Sequence, residues 1–383
     1  MIKVIRKVSF GLRTRGLEYL YRAPINEFQN PRLAATRALR RAVVFMRDTL
    51  SAGRAASARW SDDVLVFVYD LAVAPITFDF ISFLAAAELT RRRKGLAHLD
   101  VVFVAEQGLR KEPPEYEAKV DLAARSWRVR NMLVPALALL PSVRSYSVCA
   151  SREQAKQIVA GAEQQIYPPD YRVELPRLPA KALLHEMARE GDKVWPMLRA
   201  SPAARRYVKS YLDKVAGERR PLVISMRNYG FGPRRNSRTA DWIAFADRCD
   251  KSRFAPIFVP DTELAMTTES ADLGGGHPAC LAACWNVEIR MALYEAAWLN
   301  LGIMNGPLEL CWLNENVRYL IFLPMGADAI NSAEALIENG HRIGANLDFA
   351  TSYQHIVWAP DELARIEAAF TSFSRTLPDC TPE

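Results

Sequence analysis

The sequence predicts an α/β protein of two Rossmann-like domains with an N-terminal helical arm. Three observations lead there. Short, continuous apolar runs alternate with helical patterns, which is the signature of βαβ units around buried parallel strands. The alternation pauses at a proline- and tyrosine-rich stretch, Tyr167 to Pro179, and resumes at Pro221. The first sixty residues show no such strands and are strongly basic.

The chain has 383 residues, half of them hydrophobic and 24% charged, a globular composition long enough for two cores. No apolar run reaches the length of a membrane span, and the basic start lacks the apolar stretch of a secretory signal. The six cysteines are scattered, and only Cys280 and Cys284 lie close together, with no second pair to complete a zinc site. Buried thiols in a reducing, cytoplasmic compartment are expected. Residues 1–60 hold thirteen Lys/Arg against three Asp/Glu, a net +10 within a chain of +7. The body is therefore slightly acidic, and no nucleic-acid partner is expected.

In the arm (1–60), helices are expected over Val8 to Tyr21 and Pro31 to Leu50. In the second, Leu39, Val43, Met46 and Leu50 form an apolar face among Arg37, Arg40, Arg41 and Arg47. Such a helix either packs on the body with its arginines solvated or lies on an anionic membrane surface. The first domain (61–179) opens with the strand Val64 to Tyr69, then a loop at Asp70 and a helix over Thr77 to Arg93. A strand over Leu99 to Ala105, a helix over Asp121 to Leu140 and a strand over Ser145 to Val148 follow. Ser151, with Gln154 three residues on, reads as a helix N-cap. A connector of two helices (180–220) leads to the second domain (221–359). Its strands are expected at Leu222 to Met226, Pro256 to Val259 and Val317 to Phe322, with helices near Thr239 to Cys249 and Val287 to Trp298. The last helix, in 360–383, is expected to cross back to the first domain.

Two such domains place a cleft between the C-terminal ends of their sheets, where open α/β folds bind ligands. Two segments supply groups suited to phosphate. In Leu299 to Leu310, Gly306 lets the backbone approach a ligand, Pro307 is preset for a helical start, and the N–H groups that follow can face an anion. Alone, Asn305-Gly306-Pro307 is also an ordinary helix start. In Val223 to Arg238 an apolar strand runs into a loop with four arginines and a possible N-cap at Asn236 or Ser237. Arginine presents a fork to phosphate oxygens, and Arg227 stands nearest the strand end.

The first segment resembles the Gly-Pro loop of GT-B glycosyltransferases, especially the heptosyltransferase-like branch, in Gly306-Pro307-Leu308-Glu309-Leu310. Met304, Asn305 and Glu309 stand where that branch has an acidic residue, a hydroxyl residue and a histidine. The Arg227-x-Tyr229 start and the later Asn236-Ser237 resemble the fucosyltransferase-like groups. The resemblance implies a GT-B fold and a nucleotide-sugar donor. Its diphosphate would rest on Asn305, Gly306, Pro307 and Glu309, and on the loop carrying Arg227, Asn228, Asn236 and Ser237. Asp261, at a strand end, could meet ribose or base, or simply start a helix. Glu295 could reach the ribose. On the acceptor side, Asp79 or Asp70 could deprotonate the attacking hydroxyl, although Asp79 also suits the first turn of a helix. His277 lies in a glycine-rich loop that could close over a ligand.

The expected activity is transfer of a sugar from a nucleotide-activated donor to an acceptor hydroxyl, without a metal or other cofactor, in surface-polysaccharide or glycolipid assembly. The partners are the donor and a glycan or lipid-linked acceptor, with the anionic membrane surface as a further one through residues 1–60. There is no Asp-x-Asp metal motif, no dinucleotide-binding Gly-x-Gly-x-x-Gly, no Walker-type phosphate loop and no Gly-x-Ser-x-Gly elbow. A nucleotide-sugar 2-epimerase, or a non-catalytic glycan- or partner-binding protein of the same fold, are the alternatives.

Overall fold

In the computed structural model, residues 18–51, 60–110, 114–162, 165–179, 181–265, 274–326 and 330–378 are described. The chain forms two compact units. Unit one comprises residues 1–75, 90–111 and 144–180; unit two comprises 76–89, 112–143 and 181–383. The last segment of unit one ends at Ala180. Residues 76–89 and 112–143, expected in the first domain, group with unit two, and so does the connector.

Unit one carries four strands, β1 (Val64–Asp70), β2 (His98–Val104), β3 (Val143–Val148) and β4 (Ile166–Tyr167), in the order β3-β2-β1-β4. β1 runs parallel to both β2 and β4. Every residue of β1 is buried, as its unbroken run of branched and aromatic side chains requires. Val64, Val66, Val68, Val102, Val104, Ala155 and Tyr171 make the core of one face. Ser151 accepts from the Gln154 N–H at 3.1 Å and starts the Arg152–Val159 helix as the capping pattern predicts. The helix Ala34–Ser51 belongs to this unit, while the helix expected over Val8 to Tyr21 lies mostly outside the described residues.

Unit two holds five parallel strands, β5 (Arg220–Ser225), β6 (Phe254–Val259), β7 (Leu299–Ile303), β8 (Tyr319–Phe322) and β9 (Gln354–Val357). Their order is β6-β5-β7-β8-β9, so the direction of winding reverses between β5 and β7. In open sheets of this order, ligands bind at the carboxyl ends of the two strands flanking that reversal. β7 and β9 are strands the sequence did not announce. Gly302 in β7 is a close-approach glycine: a Cβ there would lie 2.5 Å from the Ser225 carbonyl oxygen, so any side chain would push β5 and β7 apart.

The C-terminal helix is a correction to expectation. Leu363–Ser374 stays on unit two, where Ile366, Phe370 and Phe373 join Trp242, Phe245, Phe254 and Trp298 in one core. Asp361, just before it, accepts from the Trp242 Nε1–H at 2.8 Å and the Arg238 N–H at 3.1 Å. Burial of that aromatic face, about 25 cal/mol per Å² of apolar surface, keeps the helix at home. Among the described residues no helix is long and apolar enough to cross a membrane. Cys149, Cys280, Cys284 and Cys311 are buried free thiols, as expected; Cys380 lies outside the described residues.

Candidate functional site

Arg227, Asn228, Asp261 and Asn305 to Pro307 follow the carboxyl ends of β5, β6 and β7, and Ser225 pairs with Gly302 across the β5–β7 seam. On one side of the seam lies the loop after β5. Arg227 is 6% exposed and its guanidinium turns into its own loop. It donates to the Gly232 carbonyl at 3.0 Å, the Phe231 carbonyl at 2.6 Å and the Asn236 side-chain oxygen. The Ser237 hydroxyl accepts from the Arg227 N–H at 2.8 Å, and Asn236 bonds both amide and carbonyl of Tyr229. Asn236 and Ser237 thus fasten the loop; the helix that follows spans Thr239–Arg248, with Arg238 in the N-cap position. A guanidinium engaged by three oxygens of its own loop positions that loop rather than projecting from it. Asp261, after β6, accepts from the Asn228 N–H at 3.3 Å and precedes the short helix Thr262–Ala265.

On the other side of the seam is the turn after β7. Asn305 caps it, accepting from the Leu308 N–H at 3.2 Å. Pro307 has no N–H, and the Glu309 N–H closes back on the Gly306 and Pro307 carbonyls. The helical turns are brief, Gly306–Leu308 and Glu309–Trp312, so little macrodipole accumulates. Of the expected row of outward amides, those of Leu308 and Glu309 are therefore engaged within the turn and Pro307 has none. Gly306 also allows close packing, since a Cβ there would stand 3.1 Å from Phe78 Cβ.

Beneath this turn lies a charge cluster that the sequence hid. Lys181 pairs with Asp79 and reaches Glu309 at 3.4 Å. Thr77 donates to Asp79 at 3.0 Å and Ser82 to Glu309 at 2.8 Å. Glu309 is 4% exposed, whereas the Asp79 side chain is about a third exposed (34%) and so is the member that meets solvent. Burial and the neighbouring Asp79 charge lift the Glu309 carboxyl to about 8, against the pull of Lys181. Burial also acts upward on Asp79, but the Lys181 charge and hydrogen bonds from Lys181, Glu309 and Thr77 outweigh it and hold the group at about 2. The Lys181 ammonium is raised: the two carboxyls more than offset its burial. The cluster thus holds one ammonium, one carboxylate and one carboxylic acid. Two carboxyls with opposite protonation are the arrangement from which acid and base roles are drawn.

The proton on Glu309 has a measurable signature. An unfolded glutamate loses its proton near 4.5, so between there and about 8 the folded Glu309 holds one that its unfolded counterpart has lost. The contribution of this group to stability then falls as pH rises through that window, by up to about 1.4 kcal/mol per pH unit. Glu309→Gln, a neutral isostere, is expected to remove that slope in urea denaturation followed from about pH 5.5 to 8.5. An unchanged slope would place the proton elsewhere.

Three expected participants stand apart. Glu295 accepts from the Ala200 N–H at 2.9 Å, Asn314 at 3.0 Å and Arg205 at 2.7 Å. It sits at the end of the Val287–Ala296 helix that feeds β7, so it marks the opposite edge of the sheet and locks the segment before the Pro202–Val215 helix. His277 is tied to Asp247 at 2.9 Å. Asp70 ends β1 in unit one with its side chain fully buried. Arg152 grips it with bonds of 2.9 and 2.7 Å, while Tyr171 donates at 2.7 Å and the Ala72 N–H at 3.0 Å. Every lone pair is occupied by its own unit, which is the environment of a structural carboxylate.

No family model matches the chain, and no curated protein matches it. Among solved structures it is similar to the family 9 glycosyl transferase of Veillonella parvula, at 8% identity and a TM-score of 0.46, over 84% of this chain and 92% of that one. It is similar to the E. coli ADP-heptose lps heptosyltransferase II at 12% identity and a TM-score of 0.41, over 82% and 99% of the two chains. A third likeness is to Arabidopsis thaliana FUT1 in complex with GDP, at 9% identity and a TM-score of 0.33, over 79% and 78%.

Proposed function

We propose that this chain is a glycosyltransferase that moves a sugar from a nucleotide-activated donor to an acceptor hydroxyl, with no obligatory metal. One observation carries the reading: the loop after β5 and the turn after β7, the two segments that the sequence singles out for phosphate, flank the reversal of winding in the unit-two sheet. The donor diphosphate would lie along the seam, against the Gly306 N–H and the loop that Arg227 holds, with Asn228 and Asp261 toward the nucleoside. The acceptor oxygen attacks the anomeric carbon as the bond to the phosphate oxygen breaks. The nucleoside diphosphate leaves with the electron pair, and the hydroxyl proton passes to the Asp79 carboxylate. Asp79 is a weak base, so the proton moves late, once the acceptor oxygen has become acidic through bond formation. Lys181 fixes the orientation of the carboxylate, and the neutral Glu309 spares it a second negative neighbour.

The acceptor is a glycan or lipid-linked compound of surface-polysaccharide or glycolipid assembly. The self-neutralised charge cluster also suits a non-catalytic glycan or partner binder. A mass-spectrometric screen of nucleotide-sugars separates the two readings. The transferase releases nucleoside diphosphate from at least one donor at a rate that Asp79→Asn lowers; release from none, with or without added glycan or lipid acceptors, leaves only the binder.

A further inference from the structure

The helix Ala34–Ser51 is mounted in the reverse of the expected sense. A basic amphipathic helix packing on a protein turns its apolar stripe inward and leaves its arginines in water. Here Arg40 is fully buried and Val44 is 6% exposed, while Leu39, Phe45 and Met46 are 58%, 72% and 56% exposed. The two terminal nitrogens of Arg40 are bonded: they donate to the Phe28 carbonyl at 3.0 Å, the Asp170 carbonyl at 3.0 Å and the Leu175 carbonyl at 2.5 Å. Arg47 and Asp48 complete the attachment through Glu174 at 2.5 Å and Arg172 at 3.0 Å. Polar bonds therefore fasten this helix to unit one.

The outward side is the apolar one. At 100° per residue, Ala35, Ala38, Leu39, Ala42, Phe45 and Met46 fall within one stripe, with Thr49 the polar residue among them, and all seven are exposed. Arg37 and Arg41, both exposed, run along one edge. An apolar stripe with a cationic margin matches a bilayer in both respects: acyl chains take the stripe and anionic headgroups meet the arginines. A protein partner of this chemistry would need an apolar groove with acidic rims. The net +10 of residues 1–60 favours the anionic lipid surface, whose charge is extended.

We propose that the outward face of the Ala34–Ser51 helix, Leu39, Phe45 and Met46 with Arg37 and Arg41, docks unit one on an anionic lipid bilayer. The stripe sits in the interface between headgroups and chains, and the arginines lie at the phosphates. This surface would bring the chain to the plane where a lipid-linked acceptor resides. The docking does not depend on the transferase reading, because vesicle binding requires no turnover.

The full chain is co-sedimented with vesicles of phosphatidylcholine containing about 30% phosphatidylglycerol, and with pure phosphatidylcholine vesicles. The wild type is expected to bind the anionic vesicles at least about tenfold better, and less well at high salt. F45S/M46S and R37E/R41E should each lose at least about tenfold in partitioning, with unchanged circular dichroism, since each basic group near an anionic surface is worth roughly fivefold. Equal binding to both vesicle types, or full binding by either variant, overturns the proposal. So does concentration-dependent self-association that F45S/M46S abolishes while vesicle binding stays at the level of pure phosphatidylcholine, which would make the stripe an interface between copies of the chain.

Discussion

Asp79→Asn is expected to lower sugar transfer by about 10² to 10⁴-fold, the range a positioned general base contributes, while nucleoside-diphosphate affinity stays within about twofold. The amide keeps the size and the Thr77 contact but cannot take a proton. The fold survives for a reason visible in the cluster. With the Asp79 charge gone, the Glu309 carboxyl loses a like-charged neighbour and keeps Lys181 within 3.4 Å, so it ionises and becomes the ammonium's partner. The substitution therefore exchanges one ion pair for another. Initial rates measured alongside urea denaturation distinguish the two effects. A variant of ordinary stability and undiminished rate removes Asp79 from the chemistry.

Asp70→Ala is expected to do the opposite, costing about 3–5 kcal/mol of folding stability in unit one. The two aspartates are alternatives in the sequence, one at the end of the first strand and the other at the start of the helix that follows it. Their surroundings differ. The Asp70 side chain has no exposure and Arg152 has only 12%, so removing the carboxylate strands a buried guanidinium, the Tyr171 hydroxyl and the Ala72 amide. Breaking a buried pair costs far more than the pair itself contributes, because the remaining charge stays desolvated. Denaturant titration measures it: a midpoint unchanged from wild type would mean that Asp70 is not structural and would return it to the list of candidate bases.

The two-domain α/β fold was legible because buried parallel strands write themselves as unbroken apolar runs. β1, at Val64–Asp70, is the plainest case. β7 was not legible, although it is central. Its sequence, Leu-Asn-Leu-Gly-Ile, carries two residues that are poor in strands, and both are there for tertiary reasons. Asn300 is buried and donates to the Tyr294 and Arg318 carbonyls at 2.9 and 3.0 Å, while Gly302 makes room for the Ser225 carbonyl. The arm misled in the same way. Its 3.6-residue periodicity was real, but periodicity cannot say which stripe faces inward when backbone carbonyls await an arginine. At the site, the local motifs around Arg227 and Gly306 were readable as turns at strand ends. Lys181 was not, since it lies 102 residues from Asp79 and 128 from Glu309, and nothing local marks a lysine that will meet two carboxyls. Glu295 was chosen for its helix; which end of that helix it occupied decided the matter.

The central claim is that a nucleoside diphosphate binds where the winding of the unit-two sheet reverses, against Gly306. Calorimetric titration of the full chain with ADP, GDP, UDP and CDP, repeated on Gly306→Val, tests it. A valine there must crowd Phe78 and cover the turn. The account predicts that at least one diphosphate binds the wild type and that the variant, still folded by circular dichroism, binds it at least about tenfold more weakly, a loss of about 1.4 kcal/mol. Binding of none of the four, or equal affinity in the variant, would contradict it.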